Sequence, residues 1–149
     1  MGLPATQRNC LSSVVPVRVP LPAATVTVAE VLKSAGYATA LSGKWGLGEP
    51  GNEGIPNRQG FDDWYGFLNQ DHAVDYYTDH LWRNEKKEPL AGNQSGAHGE
   101  YTTDLFTREA LRFIRVNRWN PFFLYLTYTA PHADLQVPSQ GIYKDKPWS

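Results

Sequence analysis

Cysteine is almost absent from this chain of 149 residues: Cys10 stands alone. That excludes an internal disulfide framework and a zinc site built from several cysteines. Long apolar runs are missing too. No segment approaches the roughly 20 apolar residues of a membrane helix, and the N-terminus lacks the apolar core of a signal peptide. Net charge is also lacking. Fourteen Lys and Arg against fifteen Asp and Glu leave a formal charge of -1, which offers no bulk attraction to nucleic acid or to an anionic membrane. No nucleic-acid partner and no transmembrane segment are expected.

What is present fits one domain with an apolar core. Hydrophobic residues make up 41% of the chain and charged ones 19%, an ordinary balance for a folded protein. Thirteen glycines and eleven prolines predict long irregular loops, where function tends to sit. Residues 1–24, broken by Pro4, Pro16, Pro20 and Pro22, read as an irregular arm with at most a short extended piece at Val14–Val19. Met1-Gly2-Leu3-Pro4-Ala5-Thr6 fits the bare acylation pattern, which is short and common.

One stretch organises the rest. Thr27-Val28-Ala29-Glu30 reads as a capping box, and Val28, Val31, Leu32 and Ala35 are spaced as one helical stripe. Gly36 falls at the expected left-handed cap. An apolar strand is expected over Tyr37–Leu41, ending in glycines with Lys44 among them. Ligands of open α/β sheets bind beyond the carboxyl ends of strands, so Lys44 is placed to hold an anion. The pattern recurs. A helix is expected near Thr103–Asn117, with Phe106, Ala110, Phe113 and Ile114 inward, and Arg108, Arg112, Arg115 and Arg118 on a solvated face. Phe122–Tyr128 then reads as a strand buried on both faces, typical of a parallel sheet. It ends before His132. If both strands are parallel neighbours, Lys44 and His132 reach one edge.

Between these halves, Gly46–Gln59 is expected as loop, Gly60–Leu68 as an extended aromatic segment, and 69–100 as a surface excursion with at most a hairpin around Tyr76–Trp82. His72, His80 and His98 show no metal-ligand spacing. Asn93-Gln94-Ser95 has the form of a glycosylation sequon. Gly46-Leu47-Gly48-Glu49-Pro50-Gly51 has the literal spacing of a dinucleotide loop, but Pro50 and the glycines after it forbid the helix that loop must open. Ser42-Gly43-Lys44-Trp45 is not a phosphate loop either. Its upstream glycine, Gly36, is too distant, and Trp45 stands where a hydroxyl must meet magnesium.

Gly36-Tyr37-x-Thr39-x-x-x-Gly43-Lys44-Trp45-Gly46-Leu47-Gly48 closely resembles the second signature of the sulfatase family. Pro56-x-x-x-Gly60-Phe61-Asp62, Asp104-Leu105-Phe106-Thr107, Pro121-Phe122-Phe123-Leu124-Tyr125 and Ala130-Pro131-His132 resemble the segments that follow it, in order. The resemblance spans about residues 20–140 and implies a partial alkaline-phosphatase-like α/β fold. Its sheet would be mostly parallel and flanked by helices, and residues 25–149 would form part of the catalytic domain. The implied reaction is hydrolysis of a sulfate ester, whether a small molecule or a sugar sulfate. The implied nucleophile is a formylglycine made from a Cys-x-Pro-x-Arg motif, and the implied cofactor is Ca2+. By position, Lys44 and His132 match family residues that contact the sulfate and are the candidate catalytic pair. His72 lies where some relatives approach substrate and is the candidate substrate-binding residue. Relatives are usually exported.

The departures are specific. Many relatives carry histidine where Gly46 stands. The paired aspartates and the Asp-Asn pair that bind the family's metal have no counterpart, so no metal ligand is assigned; Asp62-Asp63 falls after the signature, in another context. Cys10-Leu11-Ser12-Ser13 lacks the proline and arginine of the nucleophile motif, and Cys10 is not assigned as nucleophile. The expectation is an internal part of a sulfatase catalytic domain, inactive in isolation. The alternative is a non-catalytic remnant that binds anions or a partner.

Overall fold

The computed structural model describes residues 19–132 and 134–147. The acylation pattern at Gly2, the thiol of Cys10 and the Val14–Val19 piece up to Arg18 lie outside the described residues. Residues 19–24 carry neither helix nor strand.

Helix α1 (Val28–Ser34) starts with the expected capping box. Thr27 Oγ1 accepts from the Glu30 amide at 3.1 Å, and the Glu30 carboxylate accepts from the Thr27 amide at 2.7 Å. Past its end, the Gly36 amide bonds the Lys33 carbonyl and the Tyr37 amide bonds the Leu32 carbonyl, the paired closure of a left-handed glycine cap. The expected stripe is not the buried face. Ala29 is fully buried, whereas Val28 and Val31 are 61% and 54% exposed. One small residue suffices because the helix is short and sits close over the sheet.

Strand β1 (Ala38–Lys44) runs further than expected. Lys44 is its last residue rather than a residue of the following loop, because β1 is paired along both sides. β2 (Asp63–Phe67) lies parallel on one side and β5 (Phe122–Thr127) parallel on the other. Gly43 is required there: a Cβ on it would sit 2.0 Å from the Thr127 carbonyl oxygen, and its φ is +122°.

β3 (His80–Arg83) and β4 (Lys86–Pro89) continue the sheet antiparallel beyond β2, giving the order β4-β3-β2-β1-β5. The hairpin is therefore later than Tyr76–Trp82. Its two-residue turn begins with Asn84 at φ +54°, a conformation asparagine tolerates. Asn84 Oδ1 also accepts from the Trp64 amide and from Asn57 Nδ2, each at 3.0 Å. Residues 69–100 are not a surface excursion, since Ala73, Tyr76, Leu81, Leu90 and Asn93 are buried.

Helix α2 (Thr102–Asn117) buries Leu105, Phe106, Ala110 and Phe113. Ile114 is turned outward, and Leu105 takes the inward place expected for it. Arg112 is not merely solvated: it pairs with Asp63 at 2.5 Å and with Glu109 at 2.8 Å. β5 is an edge strand with Tyr125 and Leu126 partly exposed, not a strand buried on both faces. A run of apolar residues reads the same at an edge as at the centre.

The two faces of the sheet bury separate clusters. On the α1 face Leu41, Trp64 and Leu68 pack with Ala29, Ile55 and Phe61. On the α2 face Tyr65 and Phe67 pack with Phe106, Leu105, Leu81 and Leu90. Each buried aromatic contributes about 2–3 kcal/mol by transfer from water. The result is the expected α/β architecture with a mostly parallel centre.

Candidate functional site

The parallel order β2-β1-β5 brings three strand ends to one edge of the sheet. Lys44 ends β1, His72 follows β2, and His132 follows β5. The three candidate residues thus come from adjacent strands at their carboxyl ends, where α/β sheets bind ligands.

Lys44 is held by its backbone. Thr127 Oγ1 donates to the Lys44 carbonyl at 2.8 Å, and the next amide, Trp45, bonds the Phe67 carbonyl at 2.9 Å. Lys44 and Phe67 are register partners, so their side chains leave the same face of the sheet. Lys44 is half-buried, and among the described residues no hydrogen bond or ion pair holds its ammonium. A cation with a fixed stem and an unengaged head is what an anion site needs.

His72 begins a short 3-10 turn, with its amide capped by Asn69 Oδ1 at 2.9 Å. Its ring meets Phe67 edge-on at 4.8 Å and stacks on His80 at 4.2 Å. Nε2 contacts Thr78 Oγ1 at 2.5 Å. Burial, helped by the neighbouring His80, pushes its pKa down to about 4. His72 is therefore a neutral imidazole at physiological pH, and it could meet an anion as an N–H donor, not as a cation.

His132 is exposed on a tight turn closed by its own amide on the Thr129 carbonyl at 3.0 Å. This turn and the segment after β2 are tied together. Tyr76 Oη donates to the Thr129 carbonyl at 3.1 Å, the Tyr76 amide bonds Gln136 Oε1 at 2.8 Å, and Tyr101 Oη donates to the Gln136 carbonyl at 3.1 Å. Burial raises the pKa of the Tyr76 hydroxyl, so it stays protonated as the donor of that tie.

Gly46 has a structural counterpart that the sequence did not reveal. Its φ is +94°, and a Cβ there would lie 2.5 Å from Gln70 Oε1. The Gln70 amide fills the space above residue 46. Thr78, Thr127 and Gln70 were not singled out from the sequence, because each acts through a partner distant along the chain. The order Thr78-Asp79-His80 just before a strand was the one available signal for the group around His72.

His98 stacks on Tyr77 at 4.4 Å. The Asn93 sequon is not open to modification. Asn93 is 1% exposed, and its amide nitrogen donates to the Thr78 and Glu100 carbonyls at 2.9 and 2.8 Å. Asp62 and Asp63 lie at the opposite edge of the sheet, at the start of β2. Asp62 is committed to Lys33 and Thr39, and Asp63 to Arg112. They do not fit a calcium site beside Lys44.

Three comparisons bear on this arrangement. The family model described as Sulfatase matches residues 1–147. Arylsulfatase J of Mus musculus is 31% identical over 142 residues, covering 91% of this chain and 22% of that protein. Among solved structures, Ps i-CgsB in complex with k-i-k-neocarrahexaose is 31% identical with a TM-score of 0.63, over 80% of this chain and 30% of that one. Another, solved with its substrate D-glucosamine-2-N,6-O-disulfate, is 30% identical with a TM-score of 0.58, over 79% of this chain and 21% of that one. The chain spans less than a third of the length of each of these relatives.

Proposed function

The chain belongs to the sulfatase family, and on that premise we propose that Lys44, His132 and His72 hold the sulfate group of a sulfate ester while it is hydrolysed. The observation that carries this reading is Lys44 itself, half-buried, its backbone fixed at the end of β1 and its ammonium left without a partner among the described residues. Hydrolysis breaks the ester linkage to sulfur and moves negative charge onto the leaving oxygen and the sulfate oxygens. A preplaced ammonium stabilises that charge more than the ground state, because it costs no reorganisation when the charge develops. His132, exposed on its turn, supplies an N–H donor from the β5 side, and His72, a neutral imidazole, lines the β2 side. A sugar sulfate is the substrate class we favour, on the strength of the sulfated sugar bound by one structural relative. The family's nucleophile motif is not in this sequence, and its calcium ligands have no counterpart in it.

Titration of inorganic sulfate into the chain, followed by the NMR signals of Lys44 and the histidines, tests this. Lys44→Ala is expected to weaken sulfate binding about tenfold or more, the loss of one charge-assisted contact. Equal binding by Lys44→Ala overturns the reading. The unengaged ammonium equally supports anion binding without turnover, and release of nitrophenol from nitrophenyl sulfate separates the two. The 149-residue chain is expected not to exceed a metal-free blank, and turnover above it would contradict the view that nucleophile and metal ligands are missing from this sequence.

A further inference from the structure

We propose that His72, His80 and Asp79 form a binding site for a divalent ion of zinc type. This goes beyond the sulfate reading and does not depend on it. One ligating atom from each of the three residues lies within 4.8 Å of those of the other two, and among the described residues this is the one such group. The antiparallel return from β2 to β3 creates it. His72 follows β2, Asp79 and His80 enter β3, and the two imidazoles stack 25° from parallel. Residues 7 and 8 apart in sequence give no recognisable ligand spacing, which is why the sequence alone did not show it.

The donors fit one class of ion. Two imidazoles and a carboxylate suit zinc, copper or nickel, whereas calcium and magnesium take oxygen donors almost alone. Zinc bonds to such ligands at about 2.0–2.2 Å and sets tetrahedral neighbours about 3.3 Å apart. The ligand atoms must therefore shift by at most about 1.5 Å, a movement that side-chain rotation supplies.

The surroundings resemble a supported site. His80 Nδ1 is bonded to Asp79 Oδ1 and His72 Nε2 to Thr78 Oγ1. If His72 Nε2 carries its proton, His72 Nδ1 is the lone-pair nitrogen, and an ion between His80 Nδ1 and Asp79 Oδ1 takes the place of the proton they share. A metal-bound imidazole usually donates its other N–H in this way, which fixes tautomer and orientation. The backbone is also held: Leu90 N and Gln94 Nε2 both donate to the Asp79 carbonyl, at 2.9 and 2.7 Å, and Asn93 Nδ2 donates to that of Thr78. Phe67 and Trp82 wall the imidazoles on their apolar sides. Three protein ligands leave a fourth position for water or an anion.

The test is a competition titration of Zn2+ against a chromophoric chelator, on the 149-residue chain carrying Cys10→Ser so that the thiol cannot contribute. One equivalent is expected to bind. His80→Ala should weaken it at least about a hundredfold, more than the loss of an outer partner costs, and Asp79→Asn should weaken it less. His98→Ala should leave it unchanged. His80→Phe keeps a ring on His72 while removing both ring nitrogens, so a loss there cannot be blamed on a collapsed stack. No binding at micromolar Zn2+, unchanged affinity in His80→Phe, or an equal loss in His98→Ala would overturn the site.

Discussion

Thr127 Oγ1 donates a 2.8 Å hydrogen bond to the carbonyl of Lys44. This one contact joins the end of β1 to the end of β5, the two strands whose termini deliver Lys44 and His132. It also occupies the side on which Gly43 has no side chain, so hydroxyl and carbonyl meet across the space a Cβ would fill. Thr127→Val keeps the shape and removes the donor. It is expected to cost about 1 kcal/mol in chemical denaturation, the usual worth of such a bond, and to weaken sulfate binding together with stability. A variant that loses stability but binds sulfate as before would show that the two strand ends are positioned by the sheet ladder alone.

Gly46 and Gln70 make a second linked pair. Gly46→Ala meets Gln70 Oε1 at 2.5 Å and places a side chain at φ +94°. The expected cost is about 1–3 kcal/mol, from strain at a left-handed position plus the clash. Adding Gln70→Ala removes the clash but not the strain, so the double variant should recover only part of the loss. Full recovery in a thermal melt would mean the backbone at residue 46 is not constrained.

His72 gives a pH signature with a definite sign. Its folded pKa of about 4 lies below the ordinary value of 6.5, chiefly through burial. The folded state therefore holds it neutral, while the unfolded state protonates it first. Its contribution to stability is complete above pH 6.5 and is lost as the pH falls from 6.5 towards 4. Imidazole proton shifts should place the His72 midpoint near 4. A midpoint close to 6.5 would mean the ring is solvated and the stack with His80 open.

Asp62 acts in the acid range. Burial raises its pKa, but hydrogen bonds from Lys33 and Thr39 outweigh that and leave it lowered. A carboxyl with a depressed folded pKa stabilises above its unfolded value and loses that contribution as the pH falls through the folded one. Stability should thus decline below pH 3.8, the ordinary value of Asp62, and Asp62→Asn should flatten that part of the profile. An unchanged acid limb in urea titrations would place the loss elsewhere.

How much of this was legible depended on whether the signal was local. The capping box of α1, the inward Phe106, Ala110 and Phe113 of α2, and the strand leading to Lys44 are set by neighbours within one turn or one strand, and each was readable. Lys44 and His132 could be expected at one edge because two helix–strand units repeat in order. The position of β5 at the edge was not readable, since pairing partners decide it and not its own residues. Nor was the burial of 69–100, whose aromatic and polar residues alternate without a period until the hairpin folds Leu81 and Leu90 against Phe106. The His72–His80 stack needs that same hairpin.

Asn93 shows how a motif can be a structural part instead. Its side chain makes three hydrogen bonds, donating to the Thr78 and Glu100 carbonyls and accepting from the Glu100 amide at 2.7 Å. It is buried and joins the strand entry at Thr78, which carries the hydroxyl facing His72, to the segment leading into α2. Asn93→Ala leaves two carbonyls and one amide without their partner. The expected destabilisation is about 2–4 kcal/mol, because unmet buried polar groups cost more than a made bond gains. Ser95→Ala removes the sequon while leaving Asn93 in place, and should cost well under 1 kcal/mol, in the range of surface substitutions. If the two variants were equally mild in denaturant unfolding, Asn93 would be a surface residue and the sequon would again be open to a glycan. A large loss confined to Asn93→Ala would instead make it the side chain that keeps Thr78, and through it His72, in place.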